Sequence, residues 1–190
     1  MSEYQGDLRI VTSKFSNNWS DPEHQLFILR EDGTNKLNQI SVLPNEFNPE
    51  PLGKVGEDIF AVRFAEERAY IVTFERTDPL YVIDLSDHTL PQIAGQLEIP
   101  GFSSYLHPLS QDWLLGIGNE FVDNMTLGVK VELYDIRDMS SPQLHKKLVF
   151  GGHWSNSDVT SDLRSLSVLN LVNGDKRIAV PMNIWQSSEF

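Results

Sequence analysis

Residues 59–99 read IFAVRFAEERAYIVTFERTDPLYVIDLSDHTLPQIAGQLEI, and this stretch decides the fold. Four short apolar runs follow one another: Ile59 to Phe64, Ala69 to Phe74, Leu80 to Leu85 and Ile93 to Ile99. Glu66-Glu67-Arg68 makes a charged turn between the first two. Thr77-Asp78-Pro79 breaks the second from the third, since proline fixes φ and has no N–H for a ladder. Ser86 to Pro91 is a polar connection before the last run. Short runs rich in β-branched and aromatic residues, bounded by Pro, Gly, Asp and Ser, read as strands. Four consecutive antiparallel strands of this size form a meander, the unit of a propeller blade.

Working outward, similar units flank this one. Upstream, DLRIVTS (7–13), Gln25 to Leu29 and Leu37 to Leu43 read as strands, a unit over 7–43 that is short of its first strand. Lys14 to Pro22 and the proline-rich Pro44 to Gly56 read as connections. Downstream, Ser103 to His107, Trp113 to Gly118, Val129 to Ile136 and Leu144 to Phe150 make a second complete unit over 103–150, with Asn119 to Thr126 as a polar loop. After a Gly, Ser and Asp loop, Leu163–Val172 and Arg177–Ile184 read as two strands around an Asn173-Gly174 hairpin turn, an incomplete unit over 164–185.

An internal repeat supports this division. LYVIDLSDHTLPQIAGQLEI (80–99) aligns without gaps on VELYDIRDMSSPQLHKKLVF (131–150), at an offset of 51. Asp84 falls on Asp135, Asp87 on Asp138, Pro91 on Pro142 and Gln92 on Gln143. A period near 50 with about four strands per repeat points to propeller blades, with an eight-strand sandwich as the rival. Propellers close with about 4–8 blades. The expectation is therefore an all-β chain, residues 1–190 as one partial propeller of about three blades, a fragment or half of a larger ring. Unpaired blade edges make self-association an expectation as well.

Composition narrows the partners. A net charge of −12 makes a nucleic-acid backbone or an anionic membrane an unfavourable partner. Cysteine is absent, which removes disulfides, thiolate metal sites and cysteine nucleophiles. No apolar run approaches the roughly 18–20 residues that span a bilayer. The start, MSEYQGDLRI, lacks the basic and apolar regions of a signal peptide. Either the protein is cytosolic or a targeting segment has been removed.

Several strings resemble a known family, the secreted bacterial and archaeal beta-propeller domain distantly related to tryptophan-aspartate repeat propellers. They are Val62-Arg63-Phe64, Ala69 to Phe74, Thr77-Asp78-Pro79-Leu80 running into Val82 to Ser86, Gly95, Ile99 to Ser103, Tyr105-Leu106-His107-Pro108 and Leu115 to Gly118. Leu133-Tyr134-Asp135-Ile136 with Asp138 and Pro142 continues the likeness. It covers about 59–185 well and 6–43 loosely. At Asp162-Leu163-Arg164 the chain departs from the family's Asp-His pair, so a role resting on that imidazole is not carried over. The resemblance implies an extracytoplasmic location, secreted or at the cell surface, and no defined activity.

Candidate chemistry is sparse. Asp78 is either a turn aspartate or a ligand-facing carboxylate at a blade end. Asp84, Asp87, Asp135 and Asp138 recur as blade-turn residues; oxygen ligands at such spacing also suit calcium, but no continuous calcium loop is present. The five histidines show no zinc spacing. His107 reads first as a buried structural histidine. Gly116-Ile117-Gly118 reads as a close backbone contact and not a phosphate cradle. Trp19 and Trp154 lie in polar loops and suit ligand contact. The expected binding residues are thus Asp78, His107, Trp19 and Trp154, with no metal, no cofactor and no catalytic residue. The expected function is a non-catalytic binding or scaffold module for a protein, peptide or cell-surface glycan. The alternative is a hydrolase or glycan-processing enzyme with a site at the central channel of a complete propeller.

Overall fold

The computed structural model describes residues 1–15, 22–74, 78–99, 101–122 and 125–185, except for the side chains of Phe74, Asp78, Phe102 and Val122. Three antiparallel meanders of four strands each account for most of the chain. The first holds β1 (Ser2–Tyr4), β2 (Asp7–Lys14), β3 (Glu23–Glu31) and β4 (Leu37–Leu43). The middle blade holds β5 (Asp58–Ala65), β6 (Arg68–Phe74), β7 (Asp78–Asp84) and β8 (Gln92–Ile99). The third holds β9 (Phe102–Pro108), β10 (Trp113–Val122), β11 (Met125–Asp135) and β12 (Gln143–Phe150). A C-terminal unit follows, in which β13 (Asn156–Ser157) pairs with β16 (Met182–Asn183), and β14 (Ser167–Asn170) with β15 (Lys176–Ala179).

Four sequence expectations need correction. The unit over 7–43 is four-stranded, because Ser2–Tyr4 pairs with Asp7–Arg9 across a Gln5-Gly6 turn. Both turn residues have positive φ, 53° and 83°, the conformation that suits a two-residue hairpin. Asn119 to Thr126 is not simply a loop, for Asn119 to Val122 extends β10 and pairs with Met125 to Val129 past a bulge. Leu163 begins no strand: Asp162 caps a 3-10 turn at Leu163–Ser165 by accepting from Arg164 N, and β14 starts only at Ser167. Arg177–Ile184 likewise splits at Pro181, which has no N–H to offer.

The blades stack face to face and the core lies in the seams. Leu26, Ile28 and Leu43 of the first unit, with Leu52 of the connection that follows it, pack against Ala69, Ile71, Tyr81 and Ile83 of the middle blade. On its opposite face, Tyr70, Val72, Leu80 and Val82 meet Leu106, Leu114, Tyr134 and Ile136 of the third. Every residue from Ala69 to Thr73 and from Pro79 to Ile83 is therefore buried, and period-two alternation vanishes there. It survives in β3 and β11, each of which has a less covered face. The third blade's other face carries Tyr105, Leu115, Ile117 and Val129, which pack on Val159, Ile178 and Met182 of the C-terminal unit.

Polar contacts tie the same seams at their turn ends. Buried Asp7 accepts from Arg30 Nε and Nη2 at 2.5 and 2.7 Å, and pairs with His88 of the middle blade. The Arg30 bonds hold the Asp7 carboxyl below its usual range, against the opposing effect of burial; His88 adds to the lowering. Arg68 of β6 donates to the carbonyls of Gln111 and Ile136 at 2.7 and 3.1 Å, joining the middle blade to the third. The recurring aspartates cap their own turns: Asp84 accepts from Ser86 N, Asp87 from Thr89 N, Asp135 from Arg137 N and Asp138 from Ser140 N. Their recurrence in the repeat is a matter of turn geometry.

Candidate functional site

β5 and β9 are the first strands of adjacent blades and run beside each other, with a small cavity of about 160 Å³ between them. Phe60, Ala61, Val62 and Arg63 line it from β5, Ser104, Tyr105 and Leu106 from β9, and Leu163 from the C-terminal unit. Local irregularity shapes both walls. The β5–β6 register shifts between Ile59 and Ala61, and the β9–β10 register skips Ser104 opposite Ile117 and Gly118. A bulge leaves one residue outside the ladder and re-aims its side chain.

The polar groups of this cavity are only partly satisfied. Arg63 Nε and Ser104 Oγ are both buried without a hydrogen-bond partner. Arg9 Nε, Glu120 Oε2 and Glu132 Oε1 are also buried without a partner, but only Arg63 and Ser104 face the same cavity, one from each wall. The Tyr105 hydroxyl lies 3.2 Å from His107 Nδ1, with the two rings nearly parallel at 17°. Burial holds His107 below its ordinary value, and the charges of Arg63 and Lys176 lower it further. In a chain of net charge −12, the charges acting on this imidazole are positive.

Larger cavities elsewhere have their polar groups engaged. A cleft of about 460 Å³ between the β5–β6 and β9–β10 turns contains Arg68, already bonded to two carbonyls, and Gln111, which donates to Glu66. One of about 340 Å³ beside Leu52 contains His24, whose ring nitrogens bond the Ser13 hydroxyl and the Glu57 carbonyl at 2.9 and 2.7 Å. A third polar group has no cavity of its own. Glu132 Oε2 accepts from Lys130 Nζ at 3.0 Å, from Ser103 Oγ at 3.1 Å and from the Tyr134 hydroxyl, all buried on the third blade's inner face. Gly116 makes room for that cluster: a Cβ there would meet Tyr134 Cε2 at 2.8 Å and Ser103 Oγ at 2.9 Å. At Gly116 the close approach is thus made by side chains and not, as the sequence suggested, by backbone.

Of the residues singled out in the sequence, His107 alone adjoins the cavity. Asp78 opens β7 and pairs with Ile99, but its side chain lies outside the described residues, as does all of Trp19. Trp154 does not line the cavity. It stands 72% exposed in the loop after β12, at positive φ, edge-on to His153 with centroids 4.3 Å apart. Arg63, Ser104 and Tyr105 were not anticipated. The one signal available was a lone charge inside the apolar run Ile59 to Ala65. Among the described residues no group of three or more His, Cys, Asp or Glu is placed to hold a metal ion. No helix is long and apolar enough to cross a membrane.

Comparison with known proteins agrees with the architecture. An uncharacterized protein of Archaeoglobus fulgidus is 38% identical over 160 residues, covering 82% of this chain and 22% of that protein. An uncharacterized protein of Methanocaldococcus jannaschii is 38% identical over 156 residues, covering 82% of this chain and 23% of its own length. The chain thus spans less than a quarter of the length of these curated relatives. No solved structure matches it. The sequence model of the beta propeller domain matches residues 1–189, the span over which the three meanders and the C-terminal unit are laid out, and the chain belongs to the beta propeller domain family.

Proposed function

We propose that this domain is a non-catalytic binding module that offers the β5–β9 cavity to a peptide or glycan partner outside the cytoplasm. The observation that carries the reading is the pair of buried, unpartnered polar atoms, Arg63 Nε and Ser104 Oγ, that face one cavity from its two walls. An unsatisfied buried polar atom costs about 1–3 kcal/mol, a cost that a bound ligand would remove. The beta propeller fold is a general platform for binding or scaffolding, and its chemistry is set by the site it carries. The extracytoplasmic location rests on the family resemblance alone. Self-association is part of the proposal, through the outer edge of β12, where Leu148, Val149 and Phe150 are all exposed.

The test is retention of the purified domain on peptide and glycan arrays, with a hydrolase screen on the same preparation. Saturable retention without turnover is expected. Absence of any retained ligand sinks the binding reading, and turnover lost on His107→Ala establishes the hydrolase alternative instead. Sedimentation at micromolar concentration checks self-association, and a monomer at all concentrations removes it.

A further inference from the structure

The cavity between β5 and β9 combines three properties that together select a ligand chemistry. The first is size. At about 160 Å³ it holds roughly five waters' worth of liquid volume, enough for one charged headgroup on a short aliphatic stem. The second is wall composition. Phe60, Ala61, Val62, Leu106 and Leu163 are apolar, so hydrogen bonding is concentrated in Arg63, Ser104 and Tyr105. The third is charge. Among the described residues Arg63 and Lys176 stand in no ion pair, as is also true of Arg9, Lys36, Arg68, Lys146 and Arg177, but theirs are the charges that act on His107 beside the cavity. An arginine presents its N–H groups as a planar fork whose spacing fits the two oxygens of a carboxylate.

We infer that the cavity binds the carboxylate of a peptide, with Arg63 Nε in the charge-paired fork and the Ser104 hydroxyl as a further donor. This rests on the binding-module reading above and names the ligand class of that same site. The apolar wall takes the aliphatic stem of a glutamate or aspartate side chain, or of a C-terminal residue. Tyr105 carries the effect to His107. The groups whose charge acts on that imidazole are Arg63 and Lys176, with the Tyr105 hydroxyl bonded to Nδ1. A bound carboxylate brings in the missing negative charge, favours the imidazolium and so takes up a proton. Binding therefore strengthens as the pH falls toward the free imidazole's lowered value, which lies below the ordinary histidine value of about 6.5.

Calorimetric titration of the folded domain with four probes tests this. They are N-acetyl-Ala-Glu-Ala-amide, N-acetyl-Ala-Gln-Ala-amide, N-acetyl-Ala-Ala-Ala with a free C-terminus, and a glucuronate disaccharide. The glutamyl or the free-carboxylate peptide is expected to bind, and which of the two does so identifies the source of the carboxylate. The glutaminyl amide should bind at least about tenfold more weakly, the loss typical of a charge-assisted hydrogen bond. Arg63→Gln should weaken carboxylate binding by about tenfold or more, and Ser104→Ala, a smaller change that preserves packing, by several-fold. Affinity should rise from pH 8 to 5.5 in the wild type and stay flat in His107→Gln. Equal binding of the glutamyl and glutaminyl peptides, or carboxylate binding indifferent to both Arg63→Gln and Ser104→Ala, overturns the inference. Binding of the glucuronate alone overturns the peptide assignment and leaves the module reading intact. A domain that retains array ligands but none of these carboxylates does the same.

Discussion

Gly95 sits in β8, on the middle blade, facing the β11–β12 turn of the third. A Cβ built there would lie 2.3 Å from the Met139 carbonyl oxygen, 2.8 Å from the Ser140 carbonyl carbon and 2.9 Å from its oxygen. Ordinary carbon contacts are about 3.5–4.0 Å, so Gly95→Ala requires a separation of about 1 Å between the two elements. The obstacle is backbone, and this backbone is held. Asp138 accepts from Ser140 N at 2.9 Å and from Ser141 N at 3.2 Å, and Met139 packs against the seam core. Overpacking of this kind costs about 1–3 kcal/mol, whereas loss of glycine's unfolded-state freedom returns only about 0.4–1 kcal/mol. The clash wins, and a net loss of about 1.3 kcal/mol is expected. With a urea slope of about 2 kcal/mol/M for a chain of this size, the unfolding midpoint should fall by about 0.6 M. Gly152→Ala is the control, since its Cβ would meet only the Trp185 carbonyl oxygen at 3.4 Å, an ordinary contact. A Gly95→Ala midpoint equal to that of the wild type would mean that the blades do not approach each other as described.

Two further outcomes follow from polar groups in the seams. Because Arg30, then His88, hold the Asp7 carboxyl below its unfolded value, its contribution is present above about pH 4 and is lost as the pH falls through the folded value. Asp7→Asn should therefore flatten the acid limb of a stability–pH curve below about pH 4, and an unchanged limb refutes the clasp. Glu132→Gln removes the carboxylate that accepts from Lys130, Ser103 and Tyr134 in a fully buried setting, and breaking such a pair costs about 3–5 kcal/mol. Denaturation should show it; a variant within about 0.5 kcal/mol of wild type would place the cluster in contact with water.

Much of the architecture was legible because each blade strand is a separate apolar run and its turn residues recur at a fixed offset. Asp84 with Asp135 and Asp87 with Asp138 mark equivalent turns, and in the structure each aspartate accepts from a backbone N–H two residues on. What escaped was structure without an apolar signature. Ser2–Tyr4 is a polar tripeptide made into a strand by a turn, and Asn119 to Val122 continues a ladder with a buried Glu120 bonded to Lys147. Lys130 and Glu132 are fully buried in β11, on the face opposite to Val129 and Val131, although their residue types carry no sign of burial. The candidate site was the least legible part. Arg63 and Ser104 are 41 residues apart and meet only because β5 and β9 begin consecutive blades. His107 was noticed from its neighbours Leu106 and Pro108, yet its surroundings of Arg63, Tyr105 and Lys176 come from three different strands.

The double coverage of the middle sheet has a consequence for the order in which the protein comes apart. Exposing an amide of β6 or β7 requires separation from a neighbouring sheet as well as rupture of the ladder, whereas β12 has one ladder partner and a full row of exposed side chains. In stacked arrays opening free energies add by neighbour, so excursions begin at the ends and rarely reach the middle. Hydrogen exchange should accordingly grade along the stack, fastest in β12 and the C-terminal hairpin and slowest between Ala69 and Thr73. A protease would then nick the outer segments of a molecule whose central strands were still closed.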